Sequence, residues 1–206
     1  DFPALRPIGV GETLRRAVNH AVMADAAPAF ARRLFPLQVA VGVPGAASLL
    51  VNWAHVLLGL HPSWVLIKID MANAFNTIDC AAMLLAIFED PELQHWYPAF
   101  FAWISKDANI HLGAAMILAR FLSEDGGQQG DVLVMGGFCL ALQKHVVELD
   151  RALGDAGECR FYADDGYLAV DPTDPRVPPA LAAFRANVLA SLRLLIAEDK
   201  LECFSH

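Results

Sequence analysis

The chain has 206 residues, of which 56% are hydrophobic and 18% are charged. This length predicts one domain or two closely joined lobes, and the apolar content excludes an intrinsically disordered chain. With 15 Lys and Arg residues against 23 Asp and Glu residues, the formal net charge is −8. Taken by itself, this charge argues against a protein that coats nucleic acid through a basic surface.

The cysteine and histidine patterns do not indicate a zinc site, because neither a CxxC nor an HExxH spacing occurs. Counting alone leaves two disulfides open, but four thiols fit a reducing compartment better, so we expect an intracellular protein of the nucleus or cytoplasm. The uncharged stretch at 34–67 contains prolines and polar side chains, which favours a soluble helix and no membrane partner. The chain begins at Asp1 without a signal-peptide pattern and is interpreted as a domain of a longer protein.

The first part of the chain is predicted to be mainly helical. Residues 12–33 have helical periodicity, and Pro28 is expected to end that helix or to begin a new one. The predicted apolar face of this helix consists of Leu14, Val18, Ala21 and Val22. Residues 45–59 are predicted to form a second, buried helix.

Strands and helices are interspersed in the middle of the chain. Residues 64–69 predict a short strand that ends at Asp70. Asp79 is placed to cap a helix over residues 80–88. The aromatic segment at 96–103 is expected to pack in the core as a helix.

The last part of the chain predicts a hairpin between two helices. An apolar helix over 133–151 is followed by a β-hairpin over 158–170, with a tight turn at 163–166. The prolines at 172–179 predict a linker before a final helix at 181–196. This mixture of elements predicts an α+β fold or a mixed sheet.

Three acidic side chains lie at the ends of predicted strands. Asp70 follows the first strand, and Asp164 and Asp165 lie at the tip of the hairpin. Ionised carboxylates among apolar neighbours are costly unless they are paired or bind a cation. Mg²⁺ takes a few carboxylate oxygens and completes its shell with water and substrate phosphates. Each signal is weak alone, because Asp is also common in turns.

The order of several short segments is more informative than any one of them. These segments are residues 69–76 (IDMANAFN), 127–131 (GQQGD) and 161–165 (FYADD). They resemble motifs A, B and C of reverse transcriptases, especially those of non-LTR retrotransposons. Residues 5–8 (LRPI) resemble the Arg-Pro-Ile motif of the fingers, and residues 198–205 (EDKLECFS) resemble motif D.

The resemblance implies a polymerase palm, an antiparallel sheet with packed helices within the α+β class. Residues 1–62 would form partial, helical fingers, and residues 63–206 the palm with intervening fingers elements. Because the chain ends at motif D, the thumb is expected to be absent. The implied activity is RNA-directed DNA polymerisation, in which two-metal nucleotidyl transfer adds dNTPs to a primer 3′-hydroxyl.

The resemblance also implies roles for the acids and for one aromatic residue. Asp70 and Asp164 would be the main ligands of two Mg²⁺ ions, which Mn²⁺ could replace, and Asp165 would be the third acid. Phe75 would be a steric gate that excludes a ribose 2′-hydroxyl. The spacing alone supports a core aromatic at Phe75 equally well.

The resemblance implies that four further residues contact substrate. Gln129 and Gly130 would lie beside the incoming nucleotide and the template. Arg6 would hold the triphosphate, to which a guanidinium fork is well suited. Lys200 would assist the pyrophosphate leaving group. Without the motif order, Arg6 and Lys200 would be interpreted as surface charges.

Motif B departs from the usual pattern, and this departure supports the first of two alternative functions. Val132 stands where the family usually has Pro, and residues 134–137 (VMGG) replace the usual Gly-Pro-Leu-Leu. The first alternative is a decayed or domesticated polymerase-like domain that acts as a binding module. The second is a palm-like nucleotide cyclase or another two-metal phosphotransferase.

The expected partners are an RNA template, a DNA primer and dNTPs. A thumb, and an endonuclease as a further domain of the same polyprotein, would complete the enzyme. Polynucleotide affinity depends on neutralising phosphates, so the net charge of −8 predicts that this part alone holds template and primer weakly.

Overall fold

The computed structural model describes residues 13–105, 108–112, 119–123, 126–127, 130–197 and 201–205. The helices are α1 (Thr13–Leu34), α2 (Ala46–Leu60), α3 (Ala74–Thr77), α4 (Cys80–Glu89), α5 (Tyr97–Ile104), α6 (Val132–Leu153) and α7 (Val177–Leu192). The strands are β1 (Val65–Ile69), β2 (Met71–Ala72), β3 (Ala108–Leu112), β4 (Ala119–Ser123), β5 (Gly157–Tyr162), β6 (Asp165–Val170), β7 (Leu195–Ile196) and β8 (Glu202–Phe204).

The main sheet has four antiparallel strands in the order β5-β6-β1-β8. Two small antiparallel pairs, β2-β7 and β3-β4, complete the strands of the described residues. Helices pack against the main sheet, so the fold is α+β with an antiparallel sheet and packed helices, as predicted. The β3-β4 and β2-β7 pairs were not predicted.

Helix α6 is the centre of the core. It packs against α1, α4, α7 and β5, and it is buried over most of its length. Within the described part of the chain, Val132–Ala156 is the one helical stretch long and apolar enough to cross a membrane. Its most apolar segment of 18 residues is 61% buried inside the protein. Such burial is typical of the core helix of a soluble protein.

Helix α1 corrects two sequence predictions. It continues through Pro28 without a break. Proline has no backbone N–H, and the core contacts of the flanking turns compensate for the hydrogen bond that is lost there. Its buried face is not the predicted one, since Leu14 and Val18 are exposed while Asn19 and Met23 are buried. The polar Asn19 is tolerated in the interior because its side-chain amide donates hydrogen bonds to the Asp131 carboxylate.

Helix α2 forms where it was predicted but is not a buried helix. Only Ala46 and Leu57 are buried in it, whereas Val51, Val56 and Leu60 are exposed. Leu57 packs in a small cluster beside the main sheet, together with Trp53, Leu58, Trp64, Leu66 and Ala169. The helix therefore covers the sheet with one edge only.

Helix α7 begins earlier and ends earlier than predicted. Pro178 and Pro179 lie in its first turn, where an amide donor is not needed. Arg193, with a left-handed φ of 58°, ends the helix. Leu195 and Ile196 then pair with Ala72 and Met71. The proline-rich segment is thus partly helix, and the end of the predicted helix is a strand.

The remaining predictions of helices and strands are confirmed, but the aromatic segment at 96–103 packs in the core only in part, since Phe100 is buried while Phe101 is exposed. Strand β1 ends just before Asp70. The Asp79 carboxylate accepts the Ala81 amide at the start of α4, at 2.8 Å. The hairpin of β5 and β6 is present, with a turn of only two residues, because Tyr162 still pairs with Asp165. None of the four cysteines forms a disulfide.

Candidate active site

The three candidate acids lie together at one end of the main sheet. Ile69 pairs with Gly166, the residue after Asp165. Continuing this antiparallel register by one residue places Asp70 opposite Asp165, and directly opposed residues point to the same face. Asp164 is the adjacent turn residue, and all three acids are partly buried. The sheet therefore brings together acids that are almost a hundred residues apart in sequence.

The charges of the two hairpin acids act on different neighbours. Burial raises the pKa of the Tyr167 phenol, and the Asp165 carboxylate raises it further. Burial raises the pKa of the Cys139 thiol on α6 well above its ordinary value, and the Asp164 carboxylate adds to that effect. The charge of Asp165 is therefore felt on the sheet face that carries Tyr167, whereas the charge of Asp164 is felt at Cys139 on α6.

A buried glutamine that lies outside all of the sequence motifs, Gln38, holds the turn of the hairpin. The Gln38 side-chain amide donates to the Ala163 carbonyl at 3.0 Å and accepts the Ala163 amide at 2.9 Å. Ala163 has a φ of 55°. A polar residue inside the apolar run at 37–41 is the signal that could have identified it.

Gly127, the first residue of motif B, and Gly126 before it are attached to the turn after Asp70. The Gly127 amide donates to the Phe75 carbonyl at 2.6 Å, and the Cys80 thiol donates to the Gly126 carbonyl at 3.1 Å. Gly126 has a φ of 68°, and a side chain there would overlap the backbone of Asn76. A glycine is required for this approach, so motifs A and B are held in contact.

Asp131 begins the motif B helix. Its carboxylate caps α6 by accepting the Leu133 amide at 3.0 Å. The same carboxylate accepts from the Arg15 guanidinium at 2.8 Å and from the Asn19 amide at 3.0 Å. Val132 is therefore the first residue of a helix that is already capped and tied to α1, which explains how α6 begins without the usual proline.

The two unusual glycines of motif B lie at helix contacts. A side chain on Gly136 would come within 3.1 Å of Phe30 on α1, and one on Gly137 within 3.3 Å of Met83 on α4. Both glycines are buried. They let the neighbouring helices approach α6 closely, so the departure from the family pattern has a packing reason.

Phe75 lies in the core beside the candidate acids. It is 9% exposed, and its ring lies 4.8 Å from the ring of Phe138 on α6. The structure therefore shows the core position that the sequence left open. The gate function stays a prediction.

The other candidate residues are only partly covered by the structure. Gly130 is exposed, with a φ of 98°. Arg6, Gln129 and Lys200 lie outside the described residues. Part of motif D is described, because Glu202 and Cys203 belong to β8 and pair with Lys68 and Ile67.

The chemistry and placement of the three acids suit a metal site in part. Carboxylate oxygens are the donors that Mg²⁺ prefers, and the register places Asp70 and Asp165 on one face. Among the described residues, however, His, Cys, Asp and Glu side chains form no group of three or more that could hold an ion. The donor type fits Mg²⁺, but completing its shell would require water and substrate phosphates.

No protein-family model matches the sequence, and no curated protein matches it. Solved structures of telomerase are similar in fold. Apo telomerase from Candida tropicalis is 12% identical, with a TM-score of 0.60 over 96% of this chain and 36% of that one. Candida tropicalis telomerase in complex with a TWJ fragment of telomeric RNA is 13% identical, with a TM-score of 0.63 over 93% of this chain and 33% of that one.

The telomerase of a second species gives the same result. The Candida albicans enzyme, also in complex with a TWJ fragment of telomeric RNA, is 11% identical, with a TM-score of 0.56 over 94% of this chain and 34% of that one. The chain thus spans about a third of the length of these three structures. At this level of identity the likeness shows the fold, which is reverse-transcriptase-like.

Proposed function

We propose that the chain is the fingers–palm part of an RNA-directed DNA polymerase of the kind found in non-LTR retrotransposons. The observation that carries the proposal is the register of β1 and β6, which brings Asp70 beside the Asp164–Asp165 hairpin tip. This happens within a reverse-transcriptase-like fold, and the motifs follow each other in the order typical of that family.

The proposed chemistry depends on the three acids. Asp70 and Asp164, with Asp165 as the third acid, would hold two Mg²⁺ ions, or Mn²⁺ in their place. Bound Mg²⁺ lowers the pKa of an attacking hydroxyl and stabilises a leaving phosphate oxygen. The protein contributes a fixed placement of the carboxylates, which is the main requirement for phosphoryl transfer.

Substrate selection would depend on residues around this end of the sheet. Phe75 is mostly buried, so it would limit the sugar only with the small part of its side chain that remains accessible. Gln129 and Gly130, which immediately precede Asp131 and α6 in the sequence, would align the nucleotide with the template. Arg6 would bind the triphosphate, and Lys200 would assist the departure of pyrophosphate.

The proposed partners are an RNA template, a DNA primer and dNTPs. The similar Candida structures include complexes with a fragment of telomeric RNA, which supports an RNA partner for this chain. The net charge of −8 predicts weak binding of nucleic acid by this part alone. A thumb and an endonuclease domain of the same polyprotein would then supply most of the contacts with the duplex.

Primer extension on an RNA template tests the proposal. We expect extension by the unchanged chain with Mg²⁺ and dNTPs, and loss of extension in Asp70→Asn and Asp164→Asn at unchanged thermal midpoints. Glu89→Gln is the control, because it removes one exposed carboxylate on α4, away from the hairpin. Undiminished extension by Asp164→Asn would contradict the mechanism. RNA binding without any extension by the unchanged chain would instead support a polymerase-like binding module.

A further inference from the structure

The segment after α1 runs beside the hairpin that carries the candidate acids. The Val39 amide donates to the Phe161 carbonyl at 2.9 Å, and the Phe161 amide donates to the Leu37 carbonyl at 2.7 Å. These two bonds form a parallel bridge between Gln38 and Phe161. Gln38 itself is fully buried, so its side chain is fixed at the end of β5.

The Gln38 side chain makes two hydrogen bonds with the backbone of a single turn residue, Ala163. Its Nε2 donates to the Ala163 carbonyl at 3.0 Å, while its Oε1 accepts the Ala163 amide at 2.9 Å and the Ala40 amide at 3.3 Å. A side-chain amide carries a donor and an acceptor side by side without carrying a charge. A buried amide without these partners would be costly, so the two bonds fix both Gln38 and Ala163.

Ala163 has a conformation that an alanine rarely adopts. Its φ of 55° lies in the left-handed region, which is unfavourable for residues with a Cβ. Such conformations persist where the surrounding structure determines them, and they concentrate at functional sites. Ala163 is also buried, and the next residue is Asp164, so the backbone of Ala163 sets the direction of that carboxylate.

We propose that Gln38 is a positioning residue, whose side-chain amide holds the Ala163–Asp164 turn in the conformation that directs the Asp164 carboxylate. The catalytic part of this inference rests on the proposed polymerase function. Gln38 itself touches neither substrate nor metal. It acts through the backbone of Ala163, and it couples the segment after α1 to the acids of the hairpin.

The test compares Gln38→Met with Gln143→Met. Methionine has a similar length and lacks the amide. Gln143 is a matched control, because its Nε2 also donates to a backbone carbonyl, that of Leu34, at 3.2 Å. The same carbonyl accepts the Gln38 backbone amide, so Gln143 tethers the segment that carries Gln38 and bonds to Leu34 instead of Ala163. Gln38→Glu is a second variant, because burial favours the neutral carboxyl group, which accepts the Ala163 amide and donates its O–H to the Ala163 carbonyl in place of the amide.

Two measurements separate positioning from stability. In Gln38→Met, we expect the Ala163 amide to exchange with solvent roughly tenfold faster, and nucleotidyl transfer in a single turnover to fall about 100-fold. The KM for dNTP should change by less than about twofold, since the interactions that bind dNTP equally in the ground state and the transition state are not affected. Gln143→Met should alter neither the exchange of Ala163 nor the transfer rate, and Gln38→Glu should lose less than Gln38→Met.

The outcomes distinguish this inference from the proposed function. Unchanged exchange of Ala163 in Gln38→Met, or a loss of transfer no larger than in Gln143→Met, would overturn the positioning role. If the unchanged chain transfers no nucleotide but Gln38→Met still accelerates the exchange of Ala163, the proposed polymerase function fails and Gln38 is still shown to hold the turn.

Discussion

The rings of Phe75 and Phe138 lie 4.8 Å apart and are tilted by 37°. Phe75 belongs to α3, just after Asp70, and Phe138 belongs to the core of α6. Aromatic pairs in this range stabilise a core beyond the area that they bury. The turn that follows Asp70 is therefore anchored by the residue proposed as the sugar gate, and a change at Phe75 should affect both stability and selection.

Phe75→Val should separate these two effects. We expect the free energy of unfolding to fall by about 2 kcal/mol, because the smaller side chain leaves a cavity. If Phe75 is also the gate, the ratio of ribonucleotide to deoxynucleotide incorporation should rise. Urea unfolding and competitive primer extension measure the two quantities. Phe138→Leu is the control, since it removes the other ring of the pair. An incorporation ratio that stays constant in Phe75→Val would leave Phe75 with a core function only.

Asp131 should be important for the start of α6. Asp131→Ala removes the helix cap and leaves the Arg15 guanidinium and the Asn19 amide without their shared acceptor. We expect a loss of about 3 kcal/mol of unfolding free energy. Asp131→Asn should lose clearly less, because Asn is also a good cap. Equal losses in urea unfolding would show that the cap contributes little and that the charge dominates.

Gly166 should tolerate no side chain. A Cβ there would lie 2.5 Å from the ring of Phe161, which is fully buried and packs against Phe184. We expect Gly166→Ala to lower the unfolding free energy by about 1–3 kcal/mol. Gly59→Ala is the matched control, because Gly59 lies in α2 with open space around it, and alanine should stabilise the helix by about 0.5–1 kcal/mol. Similar thermal midpoints for both variants would contradict this account of the packing.

His145 should make stability depend on pH. Burial lowers the pKa of His145 below its ordinary value of 6.5, although the nearby Glu148 carboxylate opposes the shift. The unfolded chain therefore binds a proton at a higher pH than the folded chain does, so stability falls as the pH drops below about 6.5. Unfolding free energies at pH 8 and pH 5 should show this loss. His145→Gln should reduce it, and His20→Gln, at an exposed position, should not. An equal dependence in both variants would assign the effect to other groups.

The sequence predicted the elements that carry strong local signals. The apolar run before Asp70, the cap at Asp79 and the hairpin tip are each determined by neighbouring residues, and the structure confirms them. The motif order further predicted that Asp70 and the hairpin acids would lie close together. Local periodicity alone could not have shown this, since it contains no pairing information.

The errors come from tertiary contacts that override local preference. Pro28 lies inside a continuous helix because core packing on both sides compensates for it. Asn19 is buried because Asp131 lies opposite, 112 residues away in the sequence. Gln38 was overlooked for the same reason, since its partner is distant and a single glutamine carries no pattern of its own.

The distance along the chain between Gln38 and Ala163, 125 residues, has a consequence during synthesis. At roughly 5–20 residues per second, a ribosome adds the intervening chain in about 6–25 seconds. For that time the apolar segment around Gln38 has no hairpin to pair with, and its amide must be hydrated. Nascent chains released before residue 163 would expose this segment permanently, so premature termination should yield products that are bound by chaperones or degraded.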